Sequence, residues 1–373
     1  MKIAVNTRLL ISHQMEGIAR YIYETTRRIV ATHPEDEFHF IFDRAYDAQF
    51  IFGPNVIPHV YSPPARHPFL WYLWYEWALP RAFKKIKPEV FLSGDMYLSL
   101  SSQVPTVMVS HDLNFEHYPE FLPTLVSKYY RHYSPQYHHR ADKLIAVSQA
   151  TKADIIKTYL VKEQKISVAT NATPDGFFPF TDQEKKEARL KYAEGAPYFL
   201  FVGSLHPRKN LARLLKAFDN FKSSGLPHKL VIYGRQFFKT GDIFDTHKNM
   251  AHKESVLFID STICTVPEIM GGATALCYPS LFEGFGIPIL EGFAAEVPVI
   301  TSDISSMPEV AGDAALLVDP LSESSIQDAM LSVTKDKALA TALIGKGRQR
   351  KTLFSWDKSA EIIYQALTAG RHQ

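Results

Sequence analysis

At 373 residues the chain is too long for one ordinary core and suits two domains, and with 46% apolar and 21% charged residues it lies far from the disordered range. Its 41 Lys and Arg against 39 Asp and Glu give a net charge of +2, no general field for a nucleic-acid backbone, which argues against nucleic acid as a partner. Cys264 and Cys277, the only cysteines, exclude a disulfide framework and a four-thiolate zinc site; Asn6, Thr7 and Arg8 interrupt any leader-like apolar run, and no stretch nears the ~20 apolar residues of a membrane span, so the expected compartment is the cytoplasm.

The opening KIAV predicts a strand, followed by a loop at Gly17 and a helix in IARYIYETTRRIV, whose apolar residues recur at three and four. Further strands are predicted at FHFIF (38–42), EVFLS (89–93), TVMVS (106–110), KLIAVS (143–148) and KISVAT (165–170). Between the strands at 38–42 and 89–93 lies FLWYLWYEWALPRAFKKIKP, which holds Trp71, Trp74 and Trp77. The stretch 171–197, which mixes turn formers, a charged helical turn and a final Gly-Ala-Pro, reads as the linker, with the hinge near 172–195. A second series of strands runs through YFLFVGS (198–204), KLVIYG (229–234), SVLFID (255–260), ATALCYPS (273–280), PVITSD (298–303) and AALLVDP (314–320), with helices such as NLARLLKAFDNFK (210–222) between. Alternating strands and helices in both halves predict two α/β domains, each a doubly wound parallel sheet with right-handed crossovers. Ligands of such sheets lie outside the carboxyl ends of the strands, which directs attention to a cleft between the two domains.

Five stretches, in chain order, carry candidate chemistry. In MEGIARYIYE (15–24), Gly17 at a helix start permits close approach of backbone to a ligand, with Arg20 nearby. In the tryptophan segment, Trp71, Trp74, Tyr75 and Ala78 share one helical face and Tyr72, Leu79 and Phe83 another; Arg81, Lys84, Lys85 and Lys87 come next, a pattern that suits either packing or the headgroup level of a bilayer. His111 and Asp112 stand just past a strand end, while His132, His138 and His139, without a second ligand cluster at zinc spacing, read as surface or acceptor-side residues. In FVGSLHPRKNLARLLKAF (201–218), Arg208 and Lys209 precede a helix that Asn210 can cap, so two cations and a helix N-terminus converge as a diphosphate would need. In YPSLFEGFGIPILEGFAAEVPVI (278–300), Gly284 and Gly286 bracket Phe285 ahead of a helix with Pro288 in its first turn, and Glu283 and Glu291 offer acceptors for hydroxyl groups. On the residues alone, solvated acids at a tight turn, a solvated basic turn and a strand-capping histidine are equally available readings. No Asp-x-Asp, G-x-G-x-x-G or G-x-x-x-x-G-K-[ST] occurs.

The stretch P-S-x-x-E-G-F-G-x-P-x-x-E from Pro279 to Glu291, continued through PVITSDISSMPEVAGDAALLVDP, resembles the donor signature of the retaining nucleotide-sugar glycosyltransferases of family 4. The resemblance implies a GT-B architecture: an acceptor-binding domain over 1–175, a nucleotide-sugar domain over 176–355, and a last helix, about 356–373, returning to the first. It assigns Glu283, the N–H groups of Gly284, Phe285 and Gly286, and Glu291 to the donor's sugar and ribose. Arg208 and Lys209 go to its diphosphate and His111 to the reacting sugar, with His111 and Glu283 as the catalytic pair. Gly17 is implied on the donor-phosphate side, though relatives carry two glycines where this chain has Glu16 and Gly17, and many carry Arg where it has Ser204. The implied activity is metal-independent, cofactor-free transfer of a hexose, mannose from GDP-mannose foremost, to a saccharide or lipid-linked glycan in polysaccharide biosynthesis. UDP-glucose or UDP-N-acetylglucosamine is the alternative donor, and an epimerase, a phosphorylase or a silent sugar-nucleotide sensor the alternative class. A W-Y-E-W-x-L-P block like this one is similar to that of related transferases, which favours packing; contact through 69–87 would make the protein peripheral to the inner face of the cytoplasmic membrane.

Overall fold

The computed structural model describes residues 1–12, 15, 17–235 and 240–369; Glu16 and residues 370–373 of the expected last helix lie outside the described residues. The chain forms two compact units, Met1–Asn171 with Ser355–Gln373, and Ala172–Phe354, where the resemblance implies divisions at 175 and 355.

The first unit is built on a parallel sheet of β1 (Lys2–Asn6), β2 (Glu37–Phe42), β3 (Val56–Val60), β4 (Val90–Ser93), β5 (Thr106–Ser110), β6 (Lys143–Ala146) and β7 (Ile166–Val168), in the order β3-β2-β1-β4-β5-β6-β7. Its helices are α1 (Gly17–Thr32), α2 (Pro68–Leu73), α3 (Leu79–Ile86), α4 (Asn114–His117), α5 (Thr124–Arg140), α6 (Gln149–Tyr159) and the C-terminal helix Trp356–Thr368. β1, β4, β5 and β6 are nearly continuous buried runs, because helices on both faces leave no wet side. β3 has no counterpart among the predicted strands. Its run VIPHV carries Pro58 and His59, and it is tolerated at the sheet edge, where one side of the strand needs no ladder. The C-terminal helix belongs to this unit: Ser359 Oγ donates to the Thr170 carbonyl at 2.6 Å and Tyr364 Oη to Asp36 at 2.7 Å.

The tryptophan segment is a helix broken by one wide turn. Between α2 and α3 the residues Trp74–Ala78 form a π turn, the Leu79 N–H bonding back to the Trp74 carbonyl. The extra residue rotates α3, so Leu79 and Phe83, expected on a different face, are buried with Trp74, Tyr75 and Ala78. Trp74 and Tyr75 are fully buried, Trp71 packs partly against the same core, and Trp77 stays 56% exposed. Most of the cluster is therefore core, and truncating Trp74 carries a cost of ~3–5 kcal/mol.

The second unit holds β8 (Tyr198–Val202), β9 (Lys229–Tyr233), β10 (Val256–Ile259), β11 (Ala275–Tyr278), β12 (Val299–Ser302) and β13 (Leu316–Val318), all parallel, in the order β10-β9-β8-β11-β12-β13. Around them lie α7 (Asp182–Ala193), α8 (Leu211–Lys222), α9 (Gly241–Asn249), α10 (Val266–Met270), α11 (Ile287–Ala294), α12 (Met307–Ala311), α13 (Glu323–Lys335) and α14 (Lys337–Arg350). α7 starts on a reciprocal capping box, Thr181 with Glu184, so the expected linker is itself partly helical. Leu211, Leu214, Leu215 and Phe218 of α8 pack on Phe199, Phe201 and Ile232 of the sheet.

In both units the strand order reverses once, beside the first strand: between β1 and β4, and between β8 and β11. Loops leaving neighbouring strands in opposite directions open a crevice at their carboxyl ends, the usual ligand position in open α/β sheets. Among the described residues no helix is long and apolar enough to cross a membrane.

Candidate functional site

The reversal in the second unit brings together residues about 75 positions apart in the chain. After β8 the segment Pro207–Lys209 makes one 3₁₀ turn, begun by His206, whose ring Nδ1 accepts from the Arg208 N–H at 3.2 Å. After β11 the chain enters the loop to α11, and the Leu281 N–H bonds to the Arg208 carbonyl at 2.8 Å, tying the two loops. Glu283 then lies between both cations. Arg208 Nη1 donates to Oε2 and Lys209 Nζ to Oε1, each at 2.7 Å, and Arg208 Nη1 also reaches the Phe282 carbonyl at 2.6 Å. Lys209 Nζ donates to Tyr278 Oη at 2.6 Å and sits 4.7 Å from the centre of that ring. Burial pushes the Glu283 carboxyl up, but Arg208 and Lys209 outweigh it and bring it down to about 2. Burial holds the Tyr278 hydroxyl well above its ordinary range, hence neutral. Two cations share one carboxylate, so the trio carries a net positive charge at the strand ends.

The glycine loop is held from behind. Ser305 and Ser306, after β12, both donate to the Glu283 carbonyl, at 2.6 and 2.8 Å, and Ser306 also to that of Phe285 at 2.9 Å. Phe285 is buried edge-on against Phe354. Gly286 caps α11 at φ +100°, a left-handed conformation that strains any residue with a Cβ. Gly284 lies between Glu283 and Phe285 in this held loop, and Glu291 is half-buried in the middle of α11. One expectation is corrected here. Asn210 occupies the N-cap position of α8 but, at φ +59°, makes no side-chain cap; its amide instead donates to the carbonyls of Pro279 and Pro320 at 2.9 and 2.7 Å, bracing the loop after β11.

The other two site candidates lie in the first unit. His111 follows β5, partly buried, its Nε2 2.8 Å from the Gly94 carbonyl and its ring edge-on to Tyr21 at 5.3 Å. Burial lowers its pKa, opposed by the Gly94 bond and by the charges of Asp112 and Asp95. Asp112 accepts from the N–H of Asn114, the first residue of the short α4, at 3.0 Å and from the Asn114 side chain, and makes no hydrogen bond to His111. Gly17 opens α1 at φ +22°, one turn before Tyr21; Glu16 lies outside the described residues. Of the three histidines read as surface or acceptor-side residues, His132 and His139 are exposed, but His138 is fully buried in α5, within 2.7 Å of the Ser134 carbonyl and 3.0 Å of Ser110 Oγ, and burial lowers it to about 4.

The site residues missed from sequence are Tyr278, Ser305 and Ser306. Tyr278 stood in the predicted strand ATALCYPS, and the serines in the matched block after it, so their position past strand ends was the available signal.

The second unit thus sets a cation–carboxylate cluster at the strand-order reversal of a parallel-sheet α/β fold. Residues 15–175 match Glycosyltransferase Family 4 and residues 182–350 match the glycosyl transferases of group 1. The chain is 30% identical over 283 residues to the O-antigen chain mannosyltransferase RfbU of Salmonella typhimurium, covering 75% of each, and 23% identical over 363 residues to the O-antigen chain mannosyltransferase B of Escherichia coli, covering 93% of this chain and 94% of the relative. Among solved structures, sucrose-phosphate synthase from Thermosynechococcus elongatus superposes with a TM-score of 0.76 at 18% identity over 99% of both chains. Anabaena HepE in complex with UDP-glucose gives 0.75 at 14% identity over 99% of this chain and 100% of that one. The chain belongs to glycosyltransferase family 4.

Proposed function

We propose that the chain is a retaining, metal-independent mannosyltransferase that moves mannose from GDP-mannose to a saccharide or lipid-linked glycan. The observation that carries this reading is the Arg208–Lys209–Glu283 trio: a preorganised positive cluster suits the diphosphate of a nucleotide sugar, and two relatives matching most of the chain are mannosyltransferases. Arg208 and Lys209 neutralise the departing diphosphate, a task otherwise given to a divalent cation. Glu283 and the N–H groups of Gly284, Phe285 and Gly286 fix sugar hydroxyls, Glu291 accepts from the ribose, Gly17 lies on the phosphate side, and His111 acts at the reacting sugar. The anomeric C–O bond to phosphate breaks as the acceptor oxygen bonds to the same face, and the acceptor proton passes to the leaving phosphate.

A thermal-shift screen tests the donor, since a ligand at 100 times its Kd stabilises by ~2.7 kcal/mol. GDP-mannose and GDP are expected to raise Tm most. Preference for UDP-glucose or UDP-N-acetylglucosamine would replace the donor. Turnover without acceptor, or with inorganic phosphate alone, would replace the class by an epimerase or a phosphorylase. Binding without release of nucleoside diphosphate would leave a sensor.

We also infer that the first unit touches an anionic membrane at the cytoplasmic face. Phe69 and Trp77 are 65% and 56% exposed, Arg81 stacks 5.6 Å from the Trp77 ring, and Lys84, Lys85 and Lys87 are exposed beside them. Glu76, the acid within the segment, accepts from the N–H groups of Leu100 and Ser101. Aromatic rings flanked by cations support interfacial binding.

A further inference from the structure

The strand-order reversal of the first unit carries a buried ion pair that the donor chemistry does not use. Arg8, just past β1 and 7% exposed, donates through Nε to Asp95 Oδ2 at 2.5 Å and to Tyr75 Oη at 3.0 Å, and through Nη1 to the Ala65 carbonyl at 3.1 Å. Tyr75 Oη lies 2.9 and 2.7 Å from the two Asp95 oxygens, and Ser93 Oγ donates to Oδ1 at 3.1 Å and to the Tyr97 carbonyl. The guanidinium also stands 5.2 Å from the Tyr97 ring. A charge pair removed from water is a poor stabilising device compared with apolar packing of the same volume, so its presence calls for another reason.

The reason lies one residue away. Gly94, between Ser93 and Asp95, supplies the carbonyl that bonds His111 Nε2. Its own position is sterically fixed: a Cβ there would lie 2.4 Å from Ile22 Cγ1 of α1, so only glycine lets the turn come this close. The next residue but one, Met96, has φ +72°, a strained conformation that the Asp95 contacts on one side and the Ser93–Tyr97 bond on the other hold in place.

We propose that the Arg8–Asp95–Tyr75 assembly is a positioning device for His111: by fixing the 93–96 turn it holds the Gly94 carbonyl where that oxygen accepts a hydrogen bond from Nε2–H and leaves Nδ1 as the ring's acceptor. A carbonyl can only accept, so this bond selects the tautomer. The groups facing the imidazole are Asp95 from the turn, Asp112 beside it in the chain and Tyr21 from α1. The Tyr21 hydroxyl donates to the Ala169 carbonyl at 2.8 Å, and Thr151 Oγ1 meets the His111 backbone carbonyl at 3.5 Å, which leaves the Gly94 carbonyl as the ring's partner among the described residues. The inference rests on His111 acting at the donor sugar.

The test is ¹⁵N-histidine NMR of the full chain alongside pH profiles of kcat, for wild type, Asp95→Asn, Tyr75→Phe and His111→Ala. The wild-type ring is expected as the Nε2–H tautomer. In Asp95→Asn the tautomers mix and the acid limb moves to lower pH, because losing the Asp95 charge and the Gly94 bond both disfavour the protonated ring. In that variant kcat falls about tenfold with the donor KM nearly unchanged. Tyr75→Phe keeps the charge pair and shifts the same readouts in the same direction by less, which keeps the test open if Asp95→Asn does not fold. Folded variants with the wild-type tautomer and acid limb, losing activity only in proportion to unfolded protein, would overturn the proposal. Full activity in His111→Ala would overturn the role of His111 at the sugar, while the tautomer result would still decide the positioning.

Discussion

The two strand-order reversals carry the same three kinds of side chain in different proportion and at different depth. In the first unit one cation, Arg8, meets one carboxylate, Asp95, and both are almost wholly buried, with side chains 7% and 1% exposed. In the second, Arg208 and Lys209 share Glu283, and the cations are 19% and 11% exposed. A tyrosine hydroxyl completes each cluster, Tyr75 in one and Tyr278 in the other. A balanced, buried pair has no charge to offer a ligand and serves to hold a turn. An excess of cation nearer the surface, already oriented by a carboxylate, could exchange that contact for phosphate oxygens at small reorganisation cost, as the proposed function requires. The same crevice of the same kind of sheet is thus proposed as a brace in one unit and as a donor site in the other.

The comparison breaks most visibly in activity. Lys209→Ala and Glu283→Ala are each expected to lower kcat by ~10²–10³ or more, followed as release of nucleoside diphosphate. Near-normal turnover in either would remove the second cluster from catalysis. Stability should rank the other way: Asp95→Ala leaves Arg8 charged and buried and is expected to cost ~3–5 kcal/mol in denaturant unfolding. Glu283→Ala, beside more exposed cations, should cost less, and an equal loss would contradict the contrast of brace and site.

Acid sharpens the same point. The folded pKa of Glu283, about 2, lies below its ordinary value of 4.5, so its contribution to stability is complete above about 4.5 and is lost as pH falls toward 2. Unfolding measured across that window should flatten in Glu283→Gln relative to wild type; an unchanged slope would mean that the cations do not hold the carboxylate. The smallest effect on the fold is expected from Lys84→Ala/Lys85→Ala, within about 0.5 kcal/mol of wild type. The same double variant should reduce co-sedimentation with anionic liposomes, and unchanged co-sedimentation would end the membrane assignment.

Much of this was readable from the residues because buried parallel strands announce themselves as short apolar runs, and Glu283, Arg208, Lys209 and His111 stand just past such runs. What stayed hidden depended on the third dimension. β3 does not announce itself, because Pro58 and His59 mimic a loop and edge position is not written in the strand itself. The π turn at Trp74–Ala78 merged two expected faces, which a strict 3.6-residue period cannot represent. Asn210 has the composition of a cap but the backbone angle of a brace. That Glu283 sits on both cations follows from β11 pairing with β8, a long-range fact, and Arg8 with Asp95 likewise from β1 pairing with β4.

Under the proposed function, the Arg208–Lys209 pair takes the part of a metal at the donor diphosphate. Calorimetric titration of GDP-mannose into EDTA-treated wild type and Lys209→Ala, with and without added Mg²⁺, tests it most directly. Wild type is expected to bind equally well in both conditions and Lys209→Ala at least about tenfold more weakly, the worth of one charge-assisted contact. Binding that requires the added cation, or that survives Lys209→Ala unchanged, would mean that the cation pair does not hold the diphosphate.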